Sequence, residues 1–503
     1  MQYDFTTIAV WYYGSRVSRF QQFLYVPFPL ESRLSERMCE NVNAEIASGT
    51  VSLVGDAVGY LGWTYYAKRM RSNPSYYGAE SGSDEDVDFA LLSVVKDTLL
   101  QLKESGCIEY DEQDAAGSIL PTSLGIASCS YYLLHETPKQ MQFGVTECRK
   151  LILNELTSQE ALPTSSDLES FTRIAKIDEI SLAWLLYTLC NTHEFDELPV
   201  RHNEEILNEE LASDVRWGAD TQGLLTGNQG YHGPDIYADP HTKAFLLIQA
   251  YLEGVRLPIS DYVNDTKSVV ENIPRLLAAM EYIASSNRTA AGSFELLTQF
   301  VRVRQCFETR SLPDENPLQQ IGFPAQVVKI LSSGANGKKD AVRNVHQLRS
   351  LNRNDALTVL NKVNRAKGAK MTIDAALDRL YAVPLLKSVD SKVTTEVDKA
   401  TGMMRGKLKL SMEIERTSDK KMLGRSRSEV SLTVLVGSLR QGMLLSKAQI
   451  RLAREGKWSV SKELGFDWNT ANADGGEDGG SLWVRFLFNE VRGFDQQLRV
   501  PLR

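Results

Sequence analysis

Hydrophobic residues along this chain follow two different periods. From about residue 141 to residue 307 they recur at steps of three and four residues, which is the spacing of one face of an α-helix. This spacing predicts a bundle of about seven helices. The predicted helical segments lie near residues 146–158, 167–175, 178–191, 203–213, 241–253, 267–286 and 292–307.

A shorter helical group is predicted from Asn316 to Lys370, and after it the period falls to two. Apolar and polar residues alternate from Leu408 to Ile414, from Val430 to Val436 and from Leu482 to Phe488. Such alternation is typical of half-buried β-strands. The last part of the chain is therefore predicted to form one β-sandwich, to which roughly 130 residues are well suited.

The region before the bundle mixes helices with short extended segments. Its aromatic-rich stretch from Asp56 to Tyr77 predicts one amphipathic helix from Ala57 to Met70. Lys68, Arg69 and Arg71 lie at the carboxyl end of that helix, where the helix dipole favours cations. With the segments that follow, the pattern fits three helices and a small wing between residue 34 and about residue 134.

Amino-acid composition limits the classes of protein to which this chain can belong. The chain has 503 residues, of which 43% are hydrophobic and 24% charged, and this balance is that of a soluble globular protein with several domains. No apolar run reaches the length of about 18 residues that a membrane span needs, so no membrane association is predicted. The six cysteines form no CxxC pair, which indicates free thiols in a reducing compartment.

Motifs for catalysis are missing from the sequence. No GxxxxGK[ST] phosphate loop occurs, and the acidic clusters follow no hydrophobic strand as an ATPase motif requires. The six histidines form no HExxH or other closely spaced ligand pair, and no GxSxG turn presents a nucleophile. Neither catalytic residues nor a metal site are predicted on this chain.

A basic segment is a candidate for binding phosphates. The segment from Gln326 to Lys370 contains ten Lys and Arg but only two Asp. Its net charge is therefore +8, in a chain whose net charge is −8. The alternative, a solvated basic face that pairs with acidic loops, has equal weight because basic patches are common. The candidate contacts in this segment are Lys338, Lys339, Arg343, Arg349 and Arg353.

The predicted helix at Lys267 to Asn287 is a second candidate. Arg275 and Tyr282 are seven residues apart, so they lie on one face two turns from each other. A cation and an aromatic ring at that interval could hold a phosphate and a stacked base. The same pair is also compatible with an ordinary helix surface.

Six segments, taken in order, resemble the carboxy-terminal half of a helicase cassette of the Ski-two-like superfamily-two type. The resemblance is strongest to the spliceosomal U5 snRNP helicase and to the helicase subunit of the activating-signal cointegrator complex. The segments are FLYVPFPLES at residues 23–32, NAEIASGTV at 43–51, WTYYAKRMRSNPSYY at 63–77, LPVRHNEE at 198–205, DPHTKAFLLIQAYL at 239–252 and GFDQQ at 493–497.

The resemblance implies a multidomain, mainly α fold that ends in an all-β domain. The predicted order is a remnant of a RecA-like domain with its linker at residues 1–30, a winged-helix domain at 31–138, a seven-helix bundle at 139–312, a helix-loop-helix domain at 313–375 and an immunoglobulin- or fibronectin-like β-sandwich at 376–503. The last three form the unit named after Sec63. The hydrophobic period along the chain predicts helical and β regions in the same order.

The resemblance also implies functional assignments. Residues 267–287 match the ratchet helix, which contacts the translocating single strand, and Arg275 falls at its basic position. Tyr282 and Arg288 are further expected contacts, although the family places a Trp shortly after this helix. ATP and magnesium belong to RecA-like domains whose motifs are not found here, so no cofactor is expected on this chain.

These inferences combine into one functional hypothesis. The chain is predicted to be a non-catalytic module of an RNA helicase that grips single-stranded RNA and docks protein partners, in nuclear pre-mRNA splicing. Its expected partners are single-stranded RNA, RecA-like domains in cis or in trans, and spliceosomal proteins. The alternatives are a protein-interaction scaffold that does not bind nucleic acid, and a part of a cointegrator helicase in ribosome rescue or DNA repair, with a cytoplasmic location.

Overall fold

The computed structural model describes most of the chain. The described residues are 30–111, 113, 117–157, 169–170, 175–218, 234–286, 290–323, 325–333, 345–367, 373–397, 404–416, 430–438, 442–452, 456–469 and 480–502. The chain divides after Cys129 into two compact units. The expected RecA-like remnant at residues 1–30 lies outside the described part, apart from Leu30.

The first unit combines helices with a two-stranded hairpin. Its elements are α1 (Met38–Ser48), α2 (Val54–Gly62), α3 (Tyr65–Ser72), α4 (Asp84–Glu104), β1 (Ile108–Tyr110), β2 (Ile119–Pro121) and α5 (Ser123–Ser130). The two strands pair antiparallel and form the predicted wing. Ser83 begins α4, because its hydroxyl accepts a hydrogen bond from the Asp86 backbone N–H.

The single helix predicted from Ala57 to Met70 is wrong, because the structure divides this segment into α2 and α3. Thr64 takes an extended backbone with ψ of 162°, and its hydroxyl donates to the Leu61 carbonyl oxygen at 2.6 Å. At the break Trp63 is 94% exposed, whereas Tyr66 is buried. The division therefore separates aromatic residues that one helix would have placed on a common face.

The basic residues of this segment contact carboxylates within the first unit. Arg69 donates to both Glu31 carboxylate oxygens, at 2.9 and 3.2 Å. Hydrogen bonds from Arg69 and then Asn73 lower the pKa of Glu31 to about 2. Arg71 pairs with Asp84 at 3.0 Å. These contacts give Arg69 and Arg71 a structural role, whether or not the two residues also bind a partner.

A helical bundle begins the second unit. In its described residues the α-helices are α6 (Thr137–Thr157), α7 (Ala175–Cys190), α8 (Glu204–Asp214), α9 (Pro240–Glu253), α10 (Ser260–Ser286) and α11 (Ser293–Thr309). The helix predicted at residues 167–175 is wrong at its centre, where Glu169–Ser170 forms strand β3. That strand pairs with Gln496–Gln497, far along the chain, so its local sequence pattern could not reveal it.

Shorter helices and two sheets complete the second unit. The helices are α12 (Ala325–Ser333), α13 (Val345–Ser350), α14 (Arg353–Lys367) and α15 (Ile373–Ala382). The strands are β4 (Leu385–Val397), β5 (Met404–Arg416), β6 (Val430–Ser438), β7 (Leu444–Leu452), β8 (Gly456–Asp467), β9 (Ser481–Phe488) and β10 (Gln496–Pro501). The helix-loop-helix domain is predicted to end at residue 375, but helix α15 continues to Ala382.

The strands form two antiparallel sheets that share one core. The sheet orders are β3-β10-β9-β6-β7 and β4-β5-β8. Leu410 from one sheet and Val434 from the other are fully buried in the same hydrophobic cluster, and Leu348 and Leu380 of the short helices belong to it too. The predicted class, mainly α with a carboxy-terminal antiparallel β region, is confirmed.

Strands β6 and β9 are buried on both faces, contrary to the half-burial that their alternation predicts. Helix α11 packs against both strands and covers the second face. The contact is close at Gly437, where an added Cβ would lie 2.4 Å from the Phe294 ring. Bundle and sheet are therefore joined by tight packing, which depends on the absence of a side chain at this glycine.

Candidate nucleic-acid interface

Helix α10 is longer than the predicted ratchet-type helix of residues 267–287. Its first half has one exposed side, whereas between Leu276 and Ala284 only Ala278 and Tyr282 are partly exposed and the other residues are buried. It contacts α6, α9 and α11. Its buried apolar residues follow the helical period and are Val269, Ile273, Leu276, Leu277, Met280 and Ile283. Lys267, Glu271 and Pro274 are exposed on the other side. Pro274 lies inside the helix and has no backbone N–H to donate to the carbonyl oxygen one turn before it.

Arg275 and Tyr282 meet at a turn formed by Tyr131 and Tyr132. Nη1 of Arg275 donates to the carbonyl oxygens of Tyr131, at 3.4 Å, and of Tyr132, while Nη2 donates to Asn272 Oδ1 at 2.9 Å. The Tyr282 ring lies 6.0 Å from the Tyr131 ring. Both predicted residues are half-buried. The structure thus brings them together, with protein atoms as their nearest partners.

Beside this turn, Glu281 joins the bundle to the sandwich. It is buried and accepts hydrogen bonds from Arg304 Nη2, at 2.5 Å, and from Lys447 Nζ on β7. Burial raises the pKa of Glu281, but the positive charges of Arg304 and Lys447 outweigh it and keep the pKa below its ordinary value. Sequence reasoning missed this group because Lys447 is remote along the chain.

A larger buried charge cluster lies near the start of α10. Lys243 Nζ, with 0% side-chain exposure, contacts Glu204 Oε2 at 2.6 Å and Asp265 Oδ2 at 2.7 Å. It also donates to the Pro199 carbonyl oxygen at 2.6 Å. Arg201 Nη1 donates to both carboxylates at 2.8 Å. The sequence signal for this cluster is Lys243, a lysine that begins the apolar helix segment KAFLLI and matches no catalytic or metal-binding motif.

Arg349, a predicted nucleic-acid contact, is buried in the structure. Its side chain is 3% exposed, and Nε donates to the Val383 carbonyl oxygen at 3.1 Å. The guanidinium carbon lies 4.7 Å from the centre of the Tyr381 ring. Burial lowers the pKa of Arg349. A phosphate has no access to this group, so Arg349 stabilises the junction between the short helices and the sandwich.

Arg353, four residues further along and at the start of α14, is exposed. Its Nη2 donates to Asp378 Oδ1 at 2.8 Å, and that ion pair is on the surface. A surface pair of this kind contributes about 0–1 kcal/mol and exchanges readily for another anion. The other predicted contacts, Arg288, Lys338, Lys339 and Arg343, lie outside the described residues.

The described residues offer neither a metal site nor a membrane-spanning helix. No group of three or more His, Cys, Asp or Glu side chains in these ranges is arranged to hold a metal ion. No helix within the same ranges has both the length and the apolar content to cross a membrane.

Comparison with known proteins gives two family matches. A family model described as the Sec63 Brl domain matches residues 167–497, and one described as a winged helix-turn-helix domain matches residues 31–112. The first match covers the described parts of the chain from β3 to β9 and the start of β10, and the second covers α1 to β1. The winged-helix match thus precedes the Sec63 match along the chain.

Several curated proteins are similar to this chain. The DExH-box ATP-dependent RNA helicase DExH14 of Arabidopsis thaliana is 36% identical over 57% of this chain and 11% of its own length. Activating signal cointegrator 1 complex subunit 3 of Homo sapiens is 34% identical over 53% of this chain and 10% of its own length. The RQC trigger complex helicase SLH1 of Saccharomyces cerevisiae is 32% identical over 63% of this chain and 14% of its own length. The matched part of this chain thus spans between 10% and 14% of these relatives.

Proposed function

This chain belongs to the Sec63 Brl domain family, and from that premise we propose that it is a non-catalytic module that contacts single-stranded RNA and docks protein partners beside an RNA helicase motor. The observation that carries the proposal is the geometry of α10. On this helix the half-buried Arg275 and Tyr282 lie at the turn of Tyr131 and Tyr132, whose Tyr132 ring is exposed. A cation next to aromatic rings suits the phosphates and bases of a single strand.

The proposed RNA path comprises Arg275 and Tyr282 on α10 and the contacts predicted from the sequence. The latter are Arg288, Lys338, Lys339, Arg343 and Arg353. Arg349 is not included because it is buried. RNA is proposed because the names of DExH14 and SLH1 identify them as helicases, and the name of DExH14 specifies RNA.

The RNA role predicts affinity that depends on salt and on this surface. In fluorescence anisotropy with a labelled single-stranded oligouridylate, log K is expected to fall linearly with log salt concentration. Combined Lys338→Glu and Lys339→Glu changes should weaken binding and reduce the slope by about 1.4, which is about 0.7 for each lost phosphate contact. Arg275→Glu should weaken binding as well.

A matched control changes the net charge by the same amount but at two lysines outside the proposed RNA path. Lys392 and Lys409 lie opposite each other on β4 and β5 and are exposed. Combined Lys392→Glu and Lys409→Glu changes should leave the affinity nearly unaltered. Equal weakening by both double changes would indicate only a general charge effect and would contradict the proposed path.

A scaffold without RNA binding is the second candidate, and one observation favours it. Arg275, Arg349 and Arg353, the predicted cationic contacts that the structure describes, all form hydrogen bonds to protein atoms. On this alternative the full chain would recover the same proteins from nuclease-treated extract, while the purified protein would not bind RNA at any salt concentration.

The cellular setting is also a proposal. Nuclear pre-mRNA splicing, with spliceosomal partners, is the setting expected from the sequence. The name of one relative, Activating signal cointegrator 1 complex subunit 3, supports the alternative of a cointegrator assembly, and the name of another, RQC trigger complex helicase SLH1, supports a second kind of complex outside the spliceosome. Mass spectrometry of proteins that co-purify with the full chain separates these settings.

We expect no nucleotide turnover by the purified chain. The sequence has no phosphate loop and no acidic ATPase motif, and the ATP and magnesium of the proposed assembly would be bound by RecA-like domains in cis or in trans. A coupled ATPase assay with and without RNA should give background rates. Turnover that follows this protein through successive columns would contradict the assignment.

A further inference from the structure

Tyr132 has an unusual backbone and an unusual exposure. Its φ is 53°, in the left-handed region that side chains with a Cβ rarely adopt. Its side chain is 85% exposed, so burial of the ring does not compensate for this conformation. Strained residues of this kind are concentrated at functional sites, where the surrounding structure holds them in place.

The chain on both sides of Tyr132 is held firmly. Arg275 donates to the carbonyl oxygens of Tyr131 and Tyr132, and the Tyr131 ring packs near Tyr282. On the other side, Glu194 accepts hydrogen bonds from the Leu134 backbone N–H at 3.1 Å and from the Thr137 hydroxyl at 2.8 Å. A rigid turn therefore projects one free aromatic ring into solvent.

We propose that the Tyr132 ring is a stacking platform for an unpaired base of single-stranded RNA, and that Arg275 is a positioning residue that holds the turn. This inference rests on the proposed function and deepens it. A preorganised ring loses little conformational freedom on binding, and stacking accepts any base because every base has an aromatic face.

The surroundings favour a base over a protein partner. The exposed residues closest in sequence to Tyr132 are polar, namely Ser130, Glu136 and Lys139. A protein-binding anchor is usually surrounded by contacts that exclude water, whereas stacking requires only the face of one ring. Arg275 contributes through the backbone of the turn, since its Nη1 is directed to the two carbonyl groups.

The test uses the full chain and two changes at one position. Tyr132→Asn removes the ring and keeps a residue that tolerates left-handed backbone, so its melting temperature should be no lower than that of the wild type. Its affinity for single-stranded oligouridylate should fall about tenfold. Tyr132→Trp retains an aromatic face and should bind within about twofold of the wild type.

An abasic oligonucleotide of the same length isolates the stacking contact. Removing bases should weaken binding to the wild type and have little further effect on Tyr132→Asn. Arg275→Ala should bind intact and abasic strands more nearly alike than the wild type does, because a loosened turn no longer holds the Tyr132 ring in place, whereas a phosphate contact of Arg275 is lost equally for both strands. A preference for the intact strand as large as that of the wild type would contradict the positioning role.

The outcomes separate the two proposals. Wild-type protein that does not bind RNA at low salt would disprove the RNA role altogether. Wild-type protein that binds, together with Tyr132→Asn protein that binds equally well, would disprove the stacking role and leave the proposed function standing. A low melting temperature for Tyr132→Asn would show that the ring is structural.

Discussion

Lys243→Met is expected to destabilise the second unit by about 3–5 kcal/mol. Methionine fills a similar volume but has no charge to pair with Glu204 and Asp265, which lie 2.6 and 2.7 Å from the ammonium group. Arg201 would still contact both carboxylates, but it is partly exposed. Breaking a buried pair is costly because the remaining charge has lost its solvation.

Urea denaturation of both variants and of the wild type provides the measurement. The control is Lys267→Met, at a lysine that is 75% exposed and 3.9 Å from Glu271. This change should alter the free energy of unfolding by no more than about 0.5 kcal/mol. Adding Glu204→Gln to Lys243→Met should recover part of the loss. Similar stability of the two lysine variants would show that the cluster does not stabilise the unit.

The pH dependence gives a second measurement of the same cluster. Burial raises the pKa of Glu204 and of Asp265, but hydrogen bonds from Lys243 and Arg201 outweigh it, so both pKa values lie below 4.5 and 3.8 respectively. A lowered pKa contributes stability above the unfolded-state value and loses it as the pH falls through the folded-state value. The wild type should therefore lose stability below about pH 4.5, and Lys243→Met should lose less over that range.

Gly125→Ala is expected to destabilise the first unit by about 1–3 kcal/mol or more. An added Cβ would lie 2.2 Å from the Cys107 carbonyl oxygen and 2.8 Å from Asn43 Oδ1. Asn43 already donates to the Gly125 carbonyl oxygen at 3.0 Å. Since the nearest atom belongs to the backbone, only a movement of the hairpin or of α5 could relieve the clash.

Gly59→Ala is the matched control. Gly59 lies in α2, and apart from its chain neighbours and the backbone of its own helix no atom is within 4 Å of the position of its added Cβ. Alanine there should leave stability unchanged or raise it by about 0.5–1 kcal/mol, because glycine weakens a helix. Hydrogen exchange of the α1 and α4 amides should increase in Gly125→Ala only. Protection equal to that of the wild type would contradict the predicted close approach.

Much of the fold could be predicted because each element is largely specified by its own period. The segment predicted as a helix at residues 241–253 is α9 at Pro240–Glu253, and the alternation from Leu408 to Ile414 is strand β5. The secondary-structure predictions are wrong where one local hydrogen bond, or pairing with a distant strand, outweighs the hydrophobic period. Strand β3 exists through pairing with β10, and Thr64 ends the helix that periodicity continues.

The candidate site could be predicted only in part. Arg275 and Tyr282 share a face because seven residues make about two helical turns, but the turn at Tyr131 that both of them contact is remote in sequence. Tyr132 carried no signal that periodicity could detect, since a left-handed backbone conformation is visible only in the folded chain.

The sequence alone determined the order of helical and β regions, the family resemblance and the local excess of basic residues, because these depend on residue type and spacing. The tertiary structure decided which charges are accessible. Lys243 is buried and Lys267 exposed, and likewise Arg349 is buried and Arg353 exposed. Burial depends on which distant segments pack against a side chain, so residues of one type acquire structural roles in the interior and remain available for binding on the surface.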